Sequence, residues 1–366
     1  VAQKDDHEET EMKRILFLSH SSTVGPFRVG SHHLSRELAA QGHTVFHVST
    51  PVSVAHRILR RGDADHRRAS AMGPARDSDG VVHWIPRTIV PAGLAAGLDP
   101  KQIARGLEAD YFDVVFLDQP LLWSQNLRDI TDKLIYRPTD IYPGGTKAKL
   151  QRRAVADADG VCATSSEVLR RLDVKGHTPS LVLSNGVDYG HFRASASVRE
   201  RRAIYVGALD DRFDIDAVSS LAEAYPDWVF DLYGPGSKFS GLRLPANVSL
   251  LGPTRYADLP RLLSTSSIGL LPLGQQVENL GRSPMKLYEY LASGLFVVSK
   301  ETPVLKSNPN GGIYVYSDRS SLIASFAAAA AAAANDGENA HGVRLAEAES
   351  WGSKAAQLLG FVEDLP

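Results

Sequence analysis

The sequence predicts an α/β protein made of two Rossmann-like, doubly wound parallel sheets facing each other across a cleft. Three observations carry this reading. The chain has 366 residues, enough for two domains that each bury a core. Short runs rich in Val, Ile, Leu, Phe and Tyr alternate with helical patterns, the mark of parallel sheets. The alternation also runs twice, pausing at the polar, small-residue-rich stretch "FRASASVRERR" (192–202) and then restarting.

In chain order, residues 1–11 ("VAQKDDHEETE") are charged and polar, read as a disordered tail and not as a signal peptide. The first domain, 12–192, has strands expected at 14–20, 43–50, 81–86, 113–118, 133–137, 160–164 and 180–184, with helices such as "SHHLSRELAAQG" and "KAKLQRRAVADADG" between them. Residues 193–202 read as the linker. The second domain, 203–345, has strands expected at 203–209, 228–234, 248–252, 268–273, 295–299 and 312–317. Eight consecutive alanines at 327–334 read as helix. Residues 346–366 read as a C-terminal amphipathic helix that can cross back to the first domain.

Composition removes several classes. A formal net charge of -2 gives no sign of a nucleic-acid binder. The single cysteine, Cys162, has no internal disulfide partner, which fits a reducing cytoplasm. No apolar stretch approaches the roughly 18–20 residues of a membrane span. Neither "LSHSSTVGPFRVG" nor "VGALDDRF" has the G-x-G-x-x-G spacing of a dehydrogenase, and Walker and zinc-ligand spacings are missing. Acidic triplets at 63–65, 77–79, 157–159 and 214–216 do not directly follow strands, so no metal-held diphosphate and no cofactor are expected.

Ligands of open parallel sheets sit at the carboxyl ends of the strands, so two facing sheets place the site between domains. The stretch "SPMKLYEYLASGLFVVS" (283–299) reads as a helix, capped by Ser283 with Pro284 first, followed by a buried strand. Lys286 lies in its first turn, where the macrodipole disfavours a cation by about 0.3–1 kcal/mol. A nucleotide diphosphate docked on that helix end would turn the penalty into an asset. Glu289, one turn on, can accept hydrogen bonds from ribose hydroxyls. The bland alternative is a surface ion pair between the two, at i,i+3. Glycine turns in "YVGALDDR" and "DLYGPG" after strands of the same domain favour the nucleotide pocket.

With these motifs in view, the second half resembles the donor domain of GT-B glycosyltransferases. The likeness rests on "AIYVGALDDRFD", "LYGPG", "LGPTRYADLPRLLSTSSIGLLPL" and "SPMKLYEYLASGLFVVS", with "LSNGVDYGHF" as the segment before the crossing. It implies that the helix with Ser283, Met285, Lys286 and Glu289 holds the diphosphate and ribose of a UDP-sugar, and that Gly207 and Arg212 approach the phosphates. "LFLSHSSTVGPFRVGSHHLSRELAAQGHTVFHVS" and "KLIYRPTDIYPGG" resemble the xanthan-pathway β-glucuronosyltransferase (GumK-like) family. That likeness implies inverting, metal-free transfer of glucuronic acid from UDP-glucuronate to a lipid-linked oligosaccharide in exopolysaccharide synthesis, with Asp140 as base. In the large retaining family an acid precedes the ribose Glu, whereas "LGRSP" holds Arg282 and no carboxylate. Retaining transfer with another UDP-sugar, UDP-sugar epimerisation and non-catalytic binding are the alternatives.

Inversion needs a base for the acceptor hydroxyl. Asp140, His20 and Asp118 all follow strands of the first domain, and they rank in that order. Arg28 suits a uronate carboxylate, and Arg137 could pair with Asp140 or with the donor. Gln275, Glu278 and Asn279 in "GQQVENLGR" could bond sugar hydroxyls. The basic run "HRILRRGDADHRR" (56–68) and the nearby "VHWIPRTIVPAGLAAGL" suggest docking on an anionic inner leaflet.

Overall fold

The computed structural model describes residues 11–24, 28–54, 64–93, 98–193, 198–236, 238–239 and 241–366. It contains two large sheets. The first runs, edge to edge, Ser180–Val182, Gly160–Ala163, Thr131–Tyr136, Phe112–Leu117, Arg14–Leu18, Thr44–Val48, Val82–Trp84 and Ala75–Arg76, parallel except for the last strand. The second runs Val248–Gly252, Val229–Tyr233, Arg202–Val206, Ile268–Leu271, Phe296–Lys300 and Ile313–Tyr316, all parallel. The strand order reverses beside Arg14–Leu18 in the first sheet and beside Arg202–Val206 in the second. Such a switch point opens a crevice at the carboxyl ends of the strands.

Central strands are buried on both faces, which is why they read as unbroken apolar runs: Ile15, Leu16, Phe17 and Leu18 are all inaccessible. Sequence reading missed the two-residue edge strand Ala75–Arg76 and the small pair Val52–Ser53 with Arg87–Thr88. The eight alanines lie in the helix Arg319–Asp336, which starts with a capping box from Asp318 and Ser321. Residues 1–10 of the expected tail, 56–63 of the basic run and 194–197 of the linker lie outside the described residues. Arg67 and Arg68 of the basic run belong to the helix Ala64–Met72.

The chain crosses between domains earlier than the polar stretch 193–202 suggested. Val187 and Phe192 are buried in the second domain's core with Ile204, Leu287 and Leu291. The return crossing pairs with the first, Val187 forming a parallel bridge to Ser350. The helix Trp351–Glu363 then packs on the first domain, where Trp351, Ala355, Leu358 and Val362 join Ile15, Phe17, Leu34 and Cys162 in one core. Lys133 Nζ caps its far end, donating to the carbonyls of Val362 and Leu365, each at 2.9 Å.

The segment 277–283 docks the domains together. Val277 and Leu280 pack on Ile141, Ala163 and Val168 of the first domain. Ser165 Oγ donates to the Gly281 carbonyl at 2.7 Å. Asn185 donates its backbone N–H to Ser283 Oγ at 3.0 Å and its side-chain amide to the Ser283 carbonyl at 2.6 Å.

Candidate functional site between the two sheets

A cavity of about 450 Å³ opens between the carboxyl edges of the two sheets. The first domain contributes His20, Arg28, Arg137 and Asp140; the second contributes Arg212, Arg282, Ser283, Met285 and Lys286. Sequence-expected residues from both halves therefore meet in one place.

His20 follows the strand Arg14–Leu18 at the first switch point. Burial holds its imidazole below the ordinary value, with Asp118 and Asp140 pulling the other way. It is thus neutral near pH 7. Asp140 is half-buried and forms no ion pair among the described residues; its side chain accepts one long 3.4 Å hydrogen bond there, from the Thr139 hydroxyl.

Asp118 and Arg137 take other parts than expected. They form a buried bidentate pair, Nε to Oδ1 at 2.8 Å and Nη2 to Oδ2 at 2.5 Å, with 1% and 3% of the side chains exposed. Asp118 is therefore not available as a base, and it does not cap the following helix. Arg137 is committed to Asp118 and not to Asp140, although it still lines the cavity. Both members of the pair are near enough to His20 to act on its charge.

On the opposite wall Lys286 emerges from the helix Met285–Ala292. Pro284 is the N-cap, without a side-chain cap bond, and Lys286 is the second helical residue. The expectation that Ser283 caps this helix is corrected: its hydroxyl is taken by Asn185 and faces the first domain. The helix end thus keeps its N–H groups free of a side-chain acceptor. Met285 lines the cavity and also packs against the first domain's core. Burial lowers the Lys286 ammonium, partly offset by Glu289. Burial pushes Glu289 up to about 6, against the pull of Lys286. The two are close enough to act on each other's charge without forming an ion pair among the described residues. Glu289 is buried and is not among the residues that line this cavity.

Gly207 follows the strand Arg202–Val206, at the second switch point. A methyl group there would sit 2.5 Å from Lys286 Cε and 2.6 Å from the Tyr205 hydroxyl, so the missing side chain is what lets the lysine lie over this turn. Gly234 is equally required, at φ 158, because a methyl there would collide with the Gly207 carbonyl. Arg212 pairs with Asp210 and reaches the cavity with it.

Three proposed sugar contacts do not reach the cavity. Asn279 is buried, and its amide donates to the carbonyls of Arg212 (3.1 Å) and Gly274 (2.9 Å), which braces the loop. Gln275 is exposed and outside the cavity lining, as is the half-buried Glu278. Arg28 lines the mouth and lies over the Tyr256 ring at 5.5 Å, reaching from the first domain to the second.

Arg282 was not singled out as a ligand contact, yet it is central. It lines the cavity, and its guanidinium has no ion pair or hydrogen bond among the described residues. Burial lowers its guanidinium, Arg212 adds to that, and Asp140 opposes it. The sequence held one signal, an arginine placed directly before the phosphate-helix motif. Across the cleft, then, one unpaired carboxylate looks at an excess of cations.

Comparison with known proteins matches residues 200–336 to the family model described as "Glycosyl transferases group 1". A Bacillus subtilis (strain 168) protein, TuaH, named as a teichuronic acid biosynthesis glycosyltransferase, is 27% identical over 182 residues, 45% of this chain. That match spans about half of the relative's length (46%). Sucrose-phosphate synthase from Thermosynechococcus elongatus superposes with a TM-score of 0.72 at 15% identity, covering 96% of this chain and 99% of that one. Anabaena HepE in complex with UDP-glucose gives 0.66 at 16% identity, covering 96% and 100%.

Proposed function

We propose that this chain, whose fold is GT-B, is a glycosyltransferase that moves a sugar from a UDP-sugar to a saccharide acceptor in cell-surface polysaccharide synthesis. One observation carries the reading: an unpaired carboxylate, Asp140, faces the cations Arg212, Arg282 and Lys286 across a cleft cavity. The cationic wall suits a nucleoside diphosphate, which accumulates charge as it leaves. The carboxylate suits the hydroxyl that replaces it. The family model over the nucleotide-binding half, the named role of TuaH and the UDP-glucose bound by HepE support it.

In the proposed reaction the acceptor oxygen attacks the anomeric carbon, its proton passes to Asp140, and the bond to the phosphate oxygen breaks to release UDP. Lys286 and the turn at Gly207 hold the diphosphate, Arg212 supports them, and Glu289 accepts the ribose hydroxyls. His20, neutral and beside Asp140, positions the sugar or acceptor. The anionic leaving group is met by arginine and lysine, so the proposal calls for no metal.

A uronate is the donor sugar we favour, UDP-glucuronate first. With Arg137 and Arg212 already paired, Arg28, Arg282 and Lys286 remain for the ligand. A diphosphate uses part of that charge, and a sugar carboxylate uses the rest. The likeness of the first domain's motifs to the xanthan-pathway enzymes supports the same choice and suggests a lipid-linked acceptor.

The test is a screen of UDP release over UDP-sugars with saccharide acceptors, followed by NMR of the product's anomeric proton. UDP-glucuronate with a β-linked product is expected. Asp140→Asn should keep UDP affinity and lower kcat by about 10²–10⁴-fold, and His20→Ala should cost less. An α-linked product would remove Asp140 as base and favour the retaining reading; conversion of a UDP-sugar without acceptor would favour an epimerase.

Docking on an anionic membrane belongs to the same proposal. No helix among the described residues is long and apolar enough to cross a membrane. Val24, Val54, Met72 and Ile89 of the first domain are exposed, and Val24 and Met72 share one depression. Flotation with anionic but not neutral liposomes is expected, lost on raising salt; absence of flotation at low salt would end the idea.

A further inference from the structure

A second groove, of about 660 Å³, lies on the first domain beside the cleft and is not used by the donor reading. Its floor is Leu98, Leu122 and Trp123, and its polar rim includes Gln125, Lys149 and Arg153. Trp123 is fixed in place: its indole N–H donates to Asp157 Oδ2 at 3.1 Å, and Arg153 lies over its ring at 5.5 Å.

The groove is on the same edge as the catalytic cavity. Trp123 follows the carboxyl end of Phe112–Leu117, and Lys149 lies in the second turn of the helix that follows Thr131–Tyr136. Lys147, on that helix, sits over the Tyr142 ring at 5.0 Å and is near enough to His20 to act on its charge. Lys147 lines neither space, and what joins them is the carboxyl edge of the first sheet that both lie on.

The charge of the groove's cations is not neutralised by a carboxylate among the described residues. Lys149 and Arg153 are exposed and have no ion-pair partner among the described residues. Of the nearby carboxylates, Asp99 accepts the Lys101 backbone N–H at 3.1 Å as a helix cap, and Asp157 holds Trp123. An amphipathic floor with hydrogen-bonding amides and two free cations matches a chain of sugars that bears anionic groups.

We propose that this groove binds an acidic oligosaccharide, carrying carboxylate or phosphate groups, as the distal part of the acceptor. The assignment as acceptor rests on the glycosyltransferase reading; the ligand chemistry rests on the groove. The chain would run along the carboxyl edge of the first sheet and present its terminal hydroxyl to Asp140.

Binding and turnover separate the two layers. Calorimetric titration of the full chain would use tetragalacturonate, an oligomer of glycerol phosphate and, as a neutral control, maltotetraose. At least one anionic oligomer should bind, at least tenfold more tightly than maltotetraose, and weaken with salt. The Lys149→Ala/Arg153→Ala variant should lose at least tenfold in that affinity while keeping UDP affinity, which also reports that it is folded. Which anionic oligomer binds distinguishes carboxylate from phosphate. Equal binding of neutral and anionic chains, no binding of either anionic oligomer, or an unchanged variant overturns the groove assignment. Anionic binding without transfer to any acceptor would leave the groove standing and overturn the glycosyltransferase reading. Transfer to short acceptors, with KM for long acidic ones unchanged in the variant, would do the reverse.

Discussion

Glu289 sits where burial and a neighbouring charge oppose each other, and the balance leaves it titrating at about 6. As an acid raised by burial, it is ionised above that pH and protonated below it. If the ribose hydroxyls donate to its carboxylate, uridine affinity is present above pH 6 and declines as pH falls. Titrating uridine, which carries no phosphate to confuse the result, should show a loss of about tenfold between pH 7 and pH 5. Glu289→Gln should bind more weakly at pH 7 and show no such slope. A wild-type profile as flat as the variant's would remove Glu289 from the ribose. The pairing of Asp118 with Arg137 shows how residue-scale detail escapes a linear reading. Leu117 and Tyr136 are register partners on adjacent parallel strands. The residues that follow them therefore stand side by side, although they are far apart in sequence. Strand register, not local spacing, was the missing information.

At the scale of elements, the proposed phosphate site is two chain turns and a helix end pressed together without room for side chains at Gly207 and Gly234. Gly207→Ala should push aside the movable end of Lys286, 2.5 Å from the new methyl, and also press on the buried Tyr205 hydroxyl at 2.6 Å. Displacing that ammonium should weaken UDP by about 1.5–3 kcal/mol, the range for a charged hydrogen bond, with uridine nearly unchanged. Equal losses for UDP and uridine would mean that the turn supports the whole pocket and not the phosphates. The strands were legible as short apolar runs between turn residues, and the alanine helix from the helix propensity of its composition. The loop 273–283 was not. Asn279 looked like a sugar ligand by proximity to the phosphate helix, but its amide is consumed by two backbone carbonyls that no sequence pattern places near it. Ser283 likewise had the composition of a cap and was claimed by a partner 98 residues away.

For the whole molecule, the two sheets and their facing cleft were readable from the doubled alternation, while the position of the first crossing was not. Val187 and Phe192 belong to the second domain because of what they pack on, and their polar neighbours gave no warning of it. The C-terminal helix makes the first domain's core depend on the last residues of the chain. Trp351→Ala should therefore destabilise the first domain by about 3–5 kcal/mol, the cost of removing a buried aromatic side chain, as seen in its denaturant midpoint. The same helix covers Cys162, which is fully buried and whose thiol is pushed up to about 12 by burial. A lone thiol in that position is a clock. A fast alkylating reagent can reach it only during excursions that part the core, so its rate of modification counts openings of the first domain under native conditions. No label has to be introduced, and no second cysteine blurs the signal. UDP-sugar held in the cleft should slow that clock if the domains open as one body and leave it untouched if the first domain breathes alone.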